Sequence, residues 1–101
     1  MRYQRDDSFV ADYLRLSVRE RELFKEAVRK LNDAYAQRAG WPPAWPNTLR
    51  IKSVIGHPNI WELTWSFAGP DGRATLEFVE VDGEPAIKWR RVGGHDIFRR
   101  P

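Results

Sequence analysis

An α+β fold is expected, with two N-terminal helices packed on one face of a four-stranded, mainly antiparallel sheet, in a single domain spanning residues 1–101. Three observations predict it. Apolar residues recur at helical spacing up to residue 35 and alternate at period two from residue 49 onward. The alternating runs are joined by connections too short for anything but antiparallel pairing. A chain of 101 residues with a hydrophobic fraction of 42% can build one core, and is too short for two.

Each element has its own signal. Residues 1–5 can form a short edge strand. After Asp7 and Ser8, which can cap a helix start, Phe9, Val10, Tyr13 and Leu14 predict a short helix over residues 8–16. Ser17-Val18-Arg19-Glu20 has the form of a capping box. Behind it, Leu23, Phe24, Ala27, Val28, Leu31, Ala34 and Tyr35 make the apolar stripe of a long helix. Glu26 and Lys30 are spaced to pair on its polar side. Gly40 can end this helix, and Pro42 and Pro43 prevent its resumption. Residues 41–47 read as a proline-rich crossing loop.

Four strands follow, at residues 49–54, 60–67, 73–81 and 86–92. Turns are expected at residues 56–59, 69–72 and 82–83, the last an Asp-Gly hairpin signal. Alternation puts Leu49, Ile51, Trp61, Leu63, Trp65, Phe67, Ala74, Leu76, Phe78, Ile87 and Trp89 on the face the helices cover. The opposite face carries the cations Arg50, Lys52, Arg73, Lys88 and Arg90 and the carboxylates Glu62 and Glu77, along with Thr64, Ser66 and Thr75. A solvated surface is the plain reading of such a face. A sheet offering arginine and lysine side by side can also hold phosphates through charge-assisted hydrogen bonds.

Composition narrows the chemistry. The formal net charge is +3, and the excess sits near the end, where Lys88, Arg90, Arg91, Arg99 and Arg100 face only Asp96. There is no cysteine, and the two histidines are far apart, which argues against a zinc site. No apolar run reaches the roughly 18 residues of a membrane span, and the N-terminus lacks a signal-like apolar region. A soluble cytoplasmic protein without metal or cofactor is therefore expected. Neither phosphate-loop, dinucleotide-binding nor nucleophile-elbow motifs occur. The helix pair is not followed by a recognition helix, which disfavours helix-turn-helix DNA binding.

The segment Trp89-Arg90-Arg91-Val92-Gly93-Gly94-His95-Asp96-Ile97-Phe98 combines a histidine, a glycine pair and several cations. A histidine exchanges protons near neutral pH. RNA cleavage needs a base for the ribose 2′-OH, an acid for the departing 5′-oxygen, and cations for the charge that builds on phosphorus. His95, Lys52 and Arg73 can supply these functions, with Glu62 or Glu77 as a further base. Arg50, Lys88, Arg90 and Arg91 can guide the RNA. Pairing of the sheet arginines with Glu62 and Glu77 is the structural alternative. His57 reads as loop.

Over residues 3–99 the chain resembles the RelE/HigB-like toxins of bacterial type II toxin–antitoxin systems. The segments ADYLRLSVRERELFKEAVRKL, LRIKSVIGHPNIWELTWSF, GPDGRATLEF and WRRVGGHDIF carry the resemblance, in the family's order. It implies a β-α-α-β-β-β fold and a ribosome-dependent, metal-independent mRNA endonuclease that inhibits translation and is neutralised by a cognate antitoxin in a hetero-oligomer. Arg73 then matches the phosphate-stabilising arginine, His95 the C-terminal histidine, and Lys52 the basic residue of the preceding strand. Phe98 stands where many members have tyrosine, and Thr64 where many have arginine. ParE-like proteins share the fold and act by binding a topoisomerase, so a non-catalytic, protein-binding role is the alternative.

Overall fold

The structure is a computed structural model that describes residues 1–40, 43–65 and 72–101, with His95 described for its backbone only. The expected positions of Trp41, Pro42, Ser66, Phe67 and the turn residues Gly69, Pro70 and Asp71 lie outside the described residues. The elements run β1 (Arg2–Arg5), α1 (Asp7–Arg15), α2 (Val18–Ala36), a 3-10 turn (Asn47–Leu49), β2 (Lys52–Val54), β3 (His57–Trp65), β4 (Gly72–Val81), β5 (Glu84–Gly93) and a second 3-10 turn (His95–Arg99).

The α+β class with two helices holds, but the sheet has five strands in the order β1-β5-β4-β3-β2 and is mixed. Four strands, mainly antiparallel, were expected, with residues 1–5 as a possible short edge strand. The fifth is β1, which lies parallel to β5 with Tyr3 opposite Ile87 and Arg5 opposite Trp89. A parallel neighbour needs a long crossover, and here nearly the whole chain supplies it. Four residues carry too little alternation to announce such a partner.

The capping box of α2 is present in full: Glu20 N donates to Ser17 Oγ at 3.1 Å, and Ser17 N donates to Glu20 Oε1 at 2.8 Å. The helix ends at Ala36, before Gly40, with Gln37 N donating to Asp33 O. Glu26 pairs with Arg29, one position nearer than the expected Lys30. The buried side of α1 consists of Phe9 and Asp12 with half-buried Tyr13 and Leu16, while Val10 and Leu14 are exposed. Its apolar stripe is thus rotated from the expected one, and it contains a carboxylate.

Strand β2 is shorter than predicted. Arg50 caps the first 3-10 turn in the left-handed region at φ 45, so it stands outside the sheet ladder. The β2–β3 turn is Ile55-Gly56, with Gly56 at φ 82, and His57 opens β3 instead of lying in the turn. Val54 pairs with His57 but Ser53 pairs with Trp61, so the register slips across Pro58, whose nitrogen has no proton to donate. The Asp82-Gly83 hairpin forms as predicted, with φ of 52 and 80, the two positive values a tight turn between twisted strands prefers.

The face assignment holds for the described core. Phe24, Ala27 and Leu31 of α2 and Phe9 of α1 pack on Leu63, Trp65, Ala74, Leu76, Ile87, Trp89 and Val92. Trp89 lies at the centre of the aromatic cluster, stacked on Tyr3 and Phe9 and edge-on to Phe24 at 5.2 Å. Trp61 and Phe78, expected in the core, are only partly buried. Trp45 from the crossing loop stacks on Phe78 with an 8° interplanar angle. Among the described residues, no helix is long and apolar enough to cross a membrane.

Candidate functional site

Two local features shape the end of the sheet away from the hairpin tip of β4 and β5. The first is a bulge in β5. Thr75 faces Arg91 and Leu76 faces Trp89, so Arg90 is the extra residue. Strict alternation from Trp89 would aim Arg91 into the core. The bulge instead returns Val92 to the core opposite Ala74 and leaves both arginines for other partners.

The second feature is the hand-over from β1 to α1 along the edge of β5. Asp6 N donates to Trp89 O at 2.9 Å, Ser8 Oγ donates to Arg90 O at 2.9 Å, and Val92 N donates to Asp12 Oδ2 at 3.2 Å. Side chains of α1 thus satisfy backbone groups that an open edge would leave to solvent or another chain.

Arg73 sits at this end of the sheet. It pairs across β4 with Thr64 on β3 and with Gly93 on β5. It is half-buried, and its Nη1 donates to Gly72 O at 3.2 Å. Gly93 and Gly94 then lead into the second 3-10 turn, so the backbone of His95 begins two residues beyond the partner of Arg73. The backbone of His95 is described and its side chain lies outside the described residues. Neither Gly93 nor Gly94 has a positive φ, so neither is required for a left-handed backbone. Gly93 serves close approach instead: a Cβ there would stand 3.1 Å from Ile97 Cγ2.

Residues 95–101 fold back onto the sheet. Ile97 is buried outside the main core cluster, and Pro101 is buried too. Thr75, fully buried, donates from Oγ1 to Pro101 O at 2.8 Å, and Arg90 Nε donates to the same oxygen at 3.1 Å. Part of the face read as solvated is therefore covered, and Thr64 and Thr75 are buried.

The cations proposed to meet RNA are largely engaged within the molecule. Arg90 Nη1 donates to Glu77 Oε2 at 2.9 Å. Lys88 Nζ lies 3.4 Å from Asp6 Oδ1. Lys52 Nζ lies 3.6 Å from Glu62 Oε1 but is itself 72% exposed, which leaves its ammonium accessible. Lys52 is in register with Glu62 and Glu62 with Thr75, so Lys52 stands two strands, about 10 Å, from β4. Arg50 is exposed but off the strand on which it was placed.

Sequence reasoning missed Asp12, the buried carboxylate of α1. Arg91 grips it through both sides of its fork, Nε to Oδ2 at 2.6 Å and Nη2 to Oδ1 at 3.1 Å. This bond raises the Arg91 pKa above its ordinary value; burial pulls the other way, and the charges of Asp12 and Asp96 add to the rise. Arg91 Nη1 also donates to Arg100 O at 3.1 Å. The signal for Asp12 was available: it lies three residues after Phe9, in line with Tyr13 and Leu16, where a helix burying that side would place an apolar residue. A cleft of about 190 Å³ opens here between α1 and the end of β5, lined by residues including Asp12, Arg15, Arg91, Gly94 and Asp96.

Set against protein-family models, curated proteins and solved structures, the chain matches none.

Proposed function

We propose that this protein is a ribosome-dependent mRNA endonuclease that inhibits translation and is neutralised by a cognate antitoxin, a RelE/HigB-like toxin. One observation carries the proposal furthest. The β4–β5 register sets Arg73 opposite Gly93, at the corner where the chain turns toward His95. A phosphate-binding arginine and a proton-transferring histidine belong side by side in such an enzyme.

In this reading the ribose 2′-oxygen attacks the adjacent phosphorus and the bond to the 5′-oxygen breaks. Arg73 stabilises the charge on the phosphoryl oxygens, for which its fixed charge and two-pronged fork suit it. His95 protonates the departing oxygen, a contribution of about 10²–10⁴-fold. Lys52, exposed at the other side of the sheet, positions phosphate as an ammonium, and the Glu62 carboxylate beside it takes the 2′-OH proton. Arg50 and Lys88 steer RNA at the rim, while Lys88, Arg90 and Arg91 each contribute less than their charge suggests, because Asp6, Glu77 and Asp12 already face them.

That same engagement of the arginines favours a second reading, a ParE-like or non-catalytic relative that acts by binding another protein. Induced expression with mapping of mRNA ends separates the two. New ends within translated messages, lost in Arg73→Ala and in His95→Ala, support the nuclease. Growth arrest with intact messages and trapped topoisomerase would support the binder.

A further inference from the structure

We infer that Asp12 is a positioning residue, which acts through Arg91 to set the C-terminal segment, residues 95–101, against the sheet. The inference starts from a buried charge that the proposed chemistry does not use. Asp12 is 6% exposed, and it accepts from Arg91 Nε, Arg91 Nη2, the Val92 backbone and Arg15 Nη1. Burying a carboxylate so deeply is costly unless it is fully bonded, and here four donors meet two oxygens.

The geometry gives the grip a direction. Asp12 reaches β5 from α1, 79 residues away in sequence. With Nε and Nη2 held by the carboxylate, Arg91 has little rotational freedom left, and its remaining Nη1 points at Arg100 O. The segment ending at Pro101 is thus fastened at Arg100 by Arg91, at Pro101 by Thr75 and Arg90, and by the burial of Ile97. Of these hydrogen bonds, the one from Arg91 comes from a side chain that α1 holds through Asp12, so a change at α1 is transmitted to the stretch that carries His95 and Phe98. Lysine at 91 would keep the charge but lack the fork that grips and points at once.

The test compares the wild-type chain with Asp12→Asn, Arg91→Lys and the control Arg29→Ala, whose arginine is 60% exposed and pairs with Glu26 on α2, away from Asp12. Amide exchange of residues 95–100, the stretch before Pro101, is read against that of β4 and β5. Asp12→Asn and Arg91→Lys should each speed exchange in 95–100 by about tenfold or more, the loss expected of a charge-assisted hydrogen bond. The strands should stay protected and Arg29→Ala should match wild type. Unchanged exchange in 95–100 in both variants, with the strands intact, overturns the inference. So does equal loosening of the strands, which would make Asp12 a general stabiliser.

The kinetic arm rests on the nuclease reading. On programmed ribosomes both variants should lower kcat and leave KM unchanged. Unchanged kcat in a loosened variant also overturns the positioning role. A wild-type chain that cleaves nothing but shows the expected exchange pattern would reject the nuclease and leave the clamp standing.

Discussion

The two faces of the sheet are built by different physics. The helix-covered face joins Leu63, Leu76, Ile87 and Trp89 to α1 and α2 through non-directional apolar burial. The opposite face and the edge of β5 are held by directed contacts: Arg90 to Glu77, Arg91 to Asp12 of α1, and Thr75 to the carbonyl of Pro101. The first tolerates adjustment and needs only the right pattern. The second depends on individual atoms, so one residue can undo it without disturbing the other face. Structural stability should concentrate on the first face and function on the second.

The largest expected effect tests the first face. Trp89→Ala removes the ring shared by Tyr3, Phe9 and Phe24, and should cost about 3–5 kcal/mol in urea unfolding. A loss below about 1 kcal/mol would mean the cluster is not the core. Next comes the buried pair on the second face. Asp12→Ala leaves Arg91 without its carboxylate and should lower the free energy of opening of residues 95–100 by about 3 kcal/mol in amide exchange, with the strands kept. The exposed pair of Arg2 with Asp82 should be worth less than about 1 kcal/mol in a double-mutant cycle. Equal values for the two pairs would erase the distinction between engaged and solvated charges.

A pH effect sharpens the comparison further. Burial raises the Tyr3 phenol to about 12, partly offset by its hydrogen bond with Asn32. Between its unfolded value near 10 and about 12, the native state therefore holds the extra proton. Stability from this group is full below pH 10 and declines as pH rises from about 10 to about 12. Tyr3→Phe should flatten that part of the stability profile, and an unaltered slope would place the tyrosine in water.

Legibility in the sequence followed the same division. Alternation exposed the core strands, and the Ser17–Glu20 capping box announced α2, because burial and capping leave periodic or local traces. Strand β1 was visible only as a possible short edge, since a parallel partner distant in sequence leaves no local mark. The bulge at Arg90 was invisible because it is a property of strand pairing. Arg73 and Lys52 were placed on the correct face by period two, whereas Arg50 was misplaced because its left-handed backbone ends a 3-10 turn. The engagement of Arg91 by Asp12 could not be read from charge counts, which treat a buried pair and a solvated one alike.

The smallest structural perturbation bears on the central claim. Arg73→Ala removes a half-buried side chain on the second face and should leave the core strands protected. Single-turnover cleavage of mRNA on programmed ribosomes, at one fixed salt concentration, compares this variant with wild type. The account predicts cleavage by the wild-type chain and a fall of about 10²–10³-fold in Arg73→Ala, the loss expected of a group that stabilises transition-state charge, with ribosome binding retained. Equal cleavage by the two proteins, or none by the wild type, would contradict it.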